Sequence, residues 1–578
     1  MNVQEFTTND FVHDESGVFI LSGHENFSYS DGKASENYLE SVFRKAKDLS
    51  CNSYELEKNI VDWPSEYHLT KKRSQLLAGF NFNRDSTVLE VGCGCGAITR
   101  HLGETFREVV SVEGSLARAR LARLRTKDLP NVEILCSPFQ KVNFRTKFDI
   151  IFCIGVYEYS ASFVNSDDPY HEVLLYLNEI LKHEGILVIA IENQFGLKYF
   201  SSCREDHVGK QYEGLEGYPC EERKVRTFGK VELENRLKRH FSHVQFFYPF
   251  PDYKLPDSVL SEEFLLNELS GGLVSQSSSR DYHDQTERIF NESFVALELS
   301  KNAALPFFSN SFLVIAGKAP LEKNLFPQLA IHYSSDRVPK FRTRTKVIRE
   351  VNGGVIASKQ LVNGVGEVNE GKLQLSETTS KWVGSNSLQS VIARNCRSGK
   401  KTIEEIFFPC KVWIKTLEEN VTQDGGVKYL KGEFIDGIWG NFFWDSGQAF
   451  FIDKEWTWHE RIPMNLLVIR AIYVFLAKDP GCRSFNTNLM GFCTRELIRK
   501  IAASLGIHLL EKDFAHFIEV ESEIQHSVTG MDKRWIIILL KWDLLNLDSR
   551  LWAMKLKRSF LHKALRGKNF IVKLLGLS

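Results

Sequence analysis

Glu90-Val91-Gly92-Cys93-Gly94-Cys95-Gly96 sets a carboxylate and three alternating glycines directly ahead of a helical pattern that opens at Ala97. Residues of these types at this spacing can bind a ligand through bare backbone. The glycines let the turn close and let a ligand touch main-chain atoms, and free N–H groups collect where the helix begins. A second carboxylate, Glu113, ends the next apolar run, Val109–Val112. It lies about 20 residues on, where nucleotide-binding sheets place an acid against a ribose. Cys93 and Cys95 sit between the glycines and read as small residues where bulk is forbidden, not as a metal site.

A strand must deliver the loop and a helix must receive it. The hydrophobic spacing predicts strands at Val88–Val91, Val109–Val112, Val132–Cys136, Phe148–Ile154 and Ile186–Ile191. Between them it predicts helices at Ala97–Leu102, Leu116–Leu124 and Pro169–Leu181. Alternation of this kind implies a parallel, doubly wound α/β sheet. A helix over Lys230–His240, a strand over Val244–Tyr248 and a seventh strand over Ser311–Ala316 would complete it. The chain has 578 residues, a formal net charge of zero and 43% hydrophobic residues. That length calls for two or three domains, and the charge excludes a general polyanion binder, so no nucleic-acid partner is expected. The N-terminus lacks a signal-peptide pattern, and no run reaches the roughly 18 apolar residues of a membrane span. Eleven scattered cysteines fit reduced thiols, so a cytoplasmic protein is expected.

The order E-x-G-x-G-x-G departs from the dinucleotide fingerprint. With Glu113 it resembles motif I of the class I S-adenosylmethionine-dependent methyltransferases. The resemblance implies a seven-stranded Rossmann-like sheet and S-adenosylmethionine as cofactor. Glu90, Gly92, Gly94 and Gly96 would hold its methionine part and Glu113 its ribose hydroxyls. Ser137 and Phe139, after the third strand, would meet the adenine, with Ser137 standing where an acid is frequent. Gly155, Tyr157 and Tyr159, after the fourth, would line the cofactor cleft, the two tyrosines walling the methyl group. The segments Glu192–Phe200, Glu205–Gly209, Glu213–Pro219, Arg226–Phe228 and Tyr248–Pro256 resemble the branch of this family associated with bacterial surface-polysaccharide assembly. That implies a glycan, glycolipid or phosphorylated precursor as acceptor and glycosyltransferases as partners; a small-metabolite O-methyltransferase is the other reading. A sugar hydroxyl needs a base, and His207 with Asp206, or Glu205, is the candidate. Lys198, Arg204 and Arg226 are candidates for holding an anionic group.

In the second half, Asp436 and Asn441 have D-x-x-x-x-N spacing and Asp453 ends a following strand. With Lys359 in a preceding strand and Trp382–Leu388 as a hinge, this half resembles aminoglycoside phosphotransferases and lipopolysaccharide kinases. The resemblance implies ATP, with magnesium held by Asn441 and Asp453. Phe434 stands where histidine is usual, and no glycine-rich loop precedes Lys359, so phosphotransfer and a non-catalytic scaffold both stay open. Arg550–Ser578 carries eight Lys or Arg, no acid, and interleaved Trp and Leu. Such a segment suits an anionic membrane surface, hence peripheral association, or docking on its own domain. The expected organisation is a leader over 1–35, a methyltransferase domain over 36–320, a degenerate kinase-like α+β domain over 338–545, and a helical, basic amphipathic tail over 546–578.

Overall fold

The computed structural model describes residues 6–23, 32–219, 225–267, 270–274, 277, 279–283, 288–362, 364, 366–384, 387–445, 448–478 and 486–545. The chain divides into two compact units, one of residues 1–335 with 345–356, the other of 336–344 with 357–578. The expected basic tail, and Ser385 and Asn386 of the expected hinge, lie outside the described residues.

The first unit is built on β1 (Phe11–His13), β2 (Phe19–Leu21), β3 (Thr87–Val91), β4 (Glu108–Glu113), β5 (Val132–Cys136), β6 (Phe148–Ile154), β7 (Leu181–Glu192), β8 (His243–Phe250), β9 (Ser258–Ser261), β10 (Ser311–Gly317) and β11 (Ala330–Ser334). Their order across the sheet is β1-β2-β5-β4-β3-β6-β7-β10-β8-β9-β11. From β2 to β7 the neighbours are parallel. The wholly parallel sheet expected from the alternation needs correction, because β10 runs antiparallel to both β7 and β8, making the sheet mixed. The seven expected strands are its centre, and further strands extend it on both sides. Phe11–His13 and Phe19–Leu21, in the expected leader, form a hairpin whose second strand pairs with β5.

Strands covered on both faces read as continuous apolar runs instead of alternating ones. Val88, Leu89 and Val91 of β3 are buried accordingly, as are Val109, Val110 and Val112 of β4. Phe152, Val188, Leu313 and Phe247 continue the same core across β6, β7, β10 and β8. The helix Lys33–Lys45 lays Leu39, Val42 and Phe43 against Leu121 of the helix Leu116–Arg125. Leu181, expected at the end of a helix, instead opens β7, and the helix stops at Ile180. Glu90, Glu113, Gly155 and Glu192 all lie at or just beyond the carboxyl ends of their strands, the edge where open α/β sheets bind ligands.

The second unit holds three small antiparallel sheets among its described residues. One joins Glu367–Glu370, Leu373–Ser376 and Trp456–Trp458; another joins Thr422–Asp424, Val427–Leu430 and Ile462–Pro463; the third pairs Phe442–Asp445 with Gln448–Phe451. The helix expected over Thr402–Asn420 is two, Ile403–Phe407 and Cys410–Glu418. Pro409 sits between them and brings no N–H to continue the first. From Met464 the described residues are mostly helical: Met464–Lys478, Thr494–Ser504, Glu511–Thr529 and Lys533–Leu545. No helix among the described residues is long and apolar enough to cross a membrane.

Candidate active site

The glycine loop adopts the backbone its composition allows: Gly92, Gly94 and Gly96 have φ of +73°, +55° and +85°. A Cβ on Gly96 would come within 2.8 Å of the Ala122 backbone, so helix and loop meet where only glycine fits. Glu113 locks the turn. Its carboxylate accepts from Gly94 N–H at 2.8 Å and Ser115 N–H at 2.9 Å. Glu90 is buried beside it and accepts from Ser111 Oγ at 2.8 Å. Burial pushes the Glu90 carboxyl up to about 7, although Thr99, Ser111 and Arg73 pull the other way.

These residues line one end of a cleft of about 440 Å³ that also takes in Ser137, Phe139, Gly155, Glu158, Tyr159, Asp206, His207, Tyr253, Lys254 and Tyr282. Phe139 packs edge-on against Phe163, and Ser137 donates to Pro138 O at 2.9 Å. Tyr157 does not wall the cleft as expected. The 3₁₀ turn Tyr157–Tyr159 rotates it into the core, fully buried against Tyr170 and Phe228, and brings Glu158 and Tyr159 to the cleft instead. An aromatic rim that nothing in the sequence pattern announced comes from the helix Trp63–Leu69. Trp63 lies 4.3 Å, centroid to centroid, from Tyr282, and Arg280 stacks over Trp63.

The far end of the cleft is a buried network of charges. Glu205 organises its loop, accepting from the N–H groups of His207 (2.8 Å) and Val208 (2.6 Å) and bonding His207 Nδ1 at 2.9 Å. His207 Nε2 faces Glu158 Oε1 and Glu192 Oε2, each at 3.6 Å. Lys254, presented by a turn in which Asp252 accepts its N–H at 3.0 Å, reaches Glu192 and Asp206, both at 2.6 Å. Lys198 holds Asp206 at 2.8 Å.

This network changes the roles expected for three residues. Asp206 is clasped by two ammonium groups, which outweigh the effect of its burial and hold the carboxyl well below the usual range. It is therefore no base, and it does not pair with His207; Glu205 does. Burial disfavours charge on His207, but Glu192, Glu205 and Glu158 more than offset it and hold the imidazole well above its usual value. These acids favour the protonated ring over the free base expected of it. Lys198, a candidate for binding an anion, is spent on Asp206. Glu158, which the sequence reading passed over, lines the cleft with its carboxyl raised by burial and by Glu192, against the opposing His207.

In the second unit Asn441 Nδ2 donates to the Asp436 carbonyl (2.9 Å) and carboxylate (3.0 Å). Asn441 O accepts from Ile452 N–H at 2.9 Å, one residue before Asp453. Lys359 is ion-paired with Asp453 and, at 3.0 Å, with the buried Glu455. Burial would lower the Lys359 ammonium; these two acids raise it on balance. Asp453 has φ of +60°, a backbone state rare for a non-glycine residue and enriched at functional sites. Arg470, absent from the sequence reading, ties Asp436 (2.7 Å) to Glu521 (2.9 Å).

Comparison with known proteins bears on the first unit. Residues 89–189 match the model of a family described as a methyltransferase domain. An uncharacterised methyltransferase of Alkaliphilus oremlandii is 31% identical over 107 residues, 18% of this chain and 46% of that protein. The ribosomal RNA small subunit methyltransferase A of Koribacter versatilis is 42% identical over 62 residues, 11% of this chain and 22% of that one. The chain thus spans less than half the length of these curated relatives. Among solved structures, the N-methyltransferase NodS of Bradyrhizobium japonicum, in complex with S-adenosyl-L-homocysteine, is 18% identical, with 28% of this chain and 74% of that chain covered and a TM-score of 0.20. The Haemonchus contortus phosphoethanolamine N-methyltransferase 1 is 15% identical, with 38% and 45% covered and a TM-score of 0.26. The family match coincides with the strands and glycine loop that shape the cleft, and residues 89–189 are a class I S-adenosylmethionine-dependent methyltransferase domain.

Proposed function

We propose that the protein transfers a methyl group from S-adenosylmethionine to a hydroxyl oxygen of a sugar in a surface glycan or its precursor. The observation that carries this reading is the single cleft that joins the glycine loop and Glu113 at one end to the Glu158–His207 cluster at the other. Methyl transfer from a sulfonium is an in-line displacement, so the protein has to align the acceptor oxygen and exclude water. A hydroxyl must also shed a proton, and the Glu158 carboxylate at the cleft draws it off. Five carboxylates, from Glu158, Glu192, Glu205, Asp206 and Asp252, meet two lysines and one imidazolium there. The negative surplus disfavours a phosphate oxygen and favours a neutral hydroxyl, and the rim of Trp63 and Tyr282 offers flat apolar faces to a sugar ring. Gly92, Gly94, Gly96 and Glu90 hold the methionine part of the cofactor and Phe139 its base.

Incubating the full chain with methyl-labelled S-adenosylmethionine and glycan extracted from its own cell tests this. Label in the polymer or its lipid-linked precursor is expected; label confined to small molecules would replace the reading with a metabolite methyltransferase. Glu158→Gln should lower turnover about 10²- to 10⁴-fold, the usual worth of proton removal in such a step. Cofactor affinity, measured by calorimetry, should stay unchanged in that variant.

For the second unit, we infer a nucleotide site in which Asn441 and Asp453 hold magnesium and Lys359 meets the phosphates. The hydrogen bond that pairs Asn441 with Ile452, the residue before Asp453, and the strained backbone at Asp453 support it. Wild type should bind a non-hydrolysable ATP analogue only with magnesium, and Asp453→Asn should abolish that binding. No binding by wild type would make this unit a scaffold, with glycosyltransferases as its partners. The basic segment Arg550–Ser578 would bring the protein to an anionic membrane surface on the cytoplasmic side.

A further inference from the structure

The Glu158–Glu192–His207 cluster has an arrangement that charge pairing alone does not account for. The ligand-type atoms of the three residues all lie within 4.8 Å of one another. His207 Nε2 stands 3.6 Å from Glu158 Oε1 and 3.6 Å from Glu192 Oε2, too far for either contact to be a hydrogen bond. Three donors on a tetrahedral ion with arms of about 2.1 Å would stand about 3.4 Å apart. Two further features match a metal site. The other ring nitrogen of His207 is held by the Glu205 carboxylate at 2.9 Å, the outer-sphere partner that fixes a ligating imidazole in its tautomer. Glu158 Oε2 is buried with no hydrogen-bond partner among the described residues, a costly state for a carboxylate oxygen that no cation satisfies. The surplus of carboxylates over lysines favours a cation among them, and a dication would take the place of the proton on His207 Nε2, which binding releases.

We propose that Glu158, Glu192 and His207 bind a divalent first-row transition-metal ion at the acceptor end of the cleft. One nitrogen and two carboxylate oxygens suit manganese, iron or zinc better than magnesium, which prefers all-oxygen shells. Glu158 and His207 line the cleft, so the remaining coordination positions face the acceptor, as in catalytic rather than structural sites. The role of the ion rests on the methyl-transfer reading: an acceptor hydroxyl bound to it would lose its proton more readily and be held in line with the methyl group. Glu205 is a positioning residue acting through His207.

The test uses the full chain, stripped with chelator, and manganese as probe. Loss of the free-ion EPR signal should show one ion bound with micromolar affinity. The near-isosteric Glu158→Gln and His207→Gln should each weaken it at least about tenfold, and Glu205→Gln by about the same factor. Asp453→Asn removes the magnesium site proposed for the second unit, so the uptake that variant retains reports the Glu158–Glu192–His207 site alone. Circular dichroism establishes that each variant is folded, and calorimetric titration with S-adenosylmethionine reports the cofactor site separately. No manganese uptake by wild type, or uptake insensitive to both Glu158→Gln and His207→Gln, would overturn the proposal while leaving the methyltransferase reading intact. Loss of cofactor binding with manganese retained would do the reverse.

Discussion

Glu113→Ala is expected to weaken S-adenosylmethionine binding about a hundredfold, roughly 2.7 kcal/mol. Two costs combine. The carboxylate closes the glycine loop by accepting the Gly94 and Ser115 N–H groups, and its loss leaves two buried donors unsatisfied, at about 1–3 kcal/mol for such a group. It also removes the charged acceptor proposed for the ribose hydroxyls. Ser137→Ala is the comparison. The Ser137 hydroxyl donates only to the neighbouring Pro138 carbonyl, so its removal should change affinity less than about threefold, in line with the small net value of a neutral hydrogen bond. Calorimetric titration of both variants separates them. Equal losses would place the ribose away from Glu113.

Asp206→Asn should be the most destabilising single change in the first unit, by about 3–5 kcal/mol, because it takes the close partner from the buried Lys198 ammonium and leaves Lys254 with Glu192 alone. Lys198 and Lys254 both close on Asp206, and all three side chains are enclosed by the fold. The folded-state carboxyl is held well below its usual value by these lysines. Its contribution is therefore complete above the unfolded value of about 3.9 and is lost as pH falls from there toward the folded value. Wild type should lose stability steeply below about pH 4, and the asparagine variant, lacking that carboxyl, should lose less over the same interval. Denaturant unfolding of the full chain at pH 7 and across the acid range measures both effects. Parallel pH profiles would show that Asp206 is not the group whose protonation matters.

The central strands and the cofactor loop were legible in the sequence because local rules set them. A parallel strand buried on both faces writes itself as a run such as Val88-Leu89 or Val109-Val110. Positive φ selects glycine at 92, 94 and 96, and the acid after the second strand is fixed by spacing. The direction of β10 was not legible, since an apolar strand has the same composition whether it runs with or against its neighbour. Nor was the charged end of the cleft, whose groups are drawn from positions 158, 192, 198, 205–207 and 252–254. No window of sequence contains that network, and which lysine meets which acid depends on how three loops close over the sheet edge. The sequence reading therefore reached His207 and named both Asp206 and Glu205 beside it, but only the fold decided that Glu205 is the one that pairs with it. Tyr157 fell on the buried side of a 3₁₀ turn for a similar reason: one residue of rotation, set by packing against Tyr170 and Phe228, exchanged it for Glu158. Local residue type determined the strands and the glycine loop; the electrostatics of the far end of the cleft are a long-range property, decided only when distant charges are buried together.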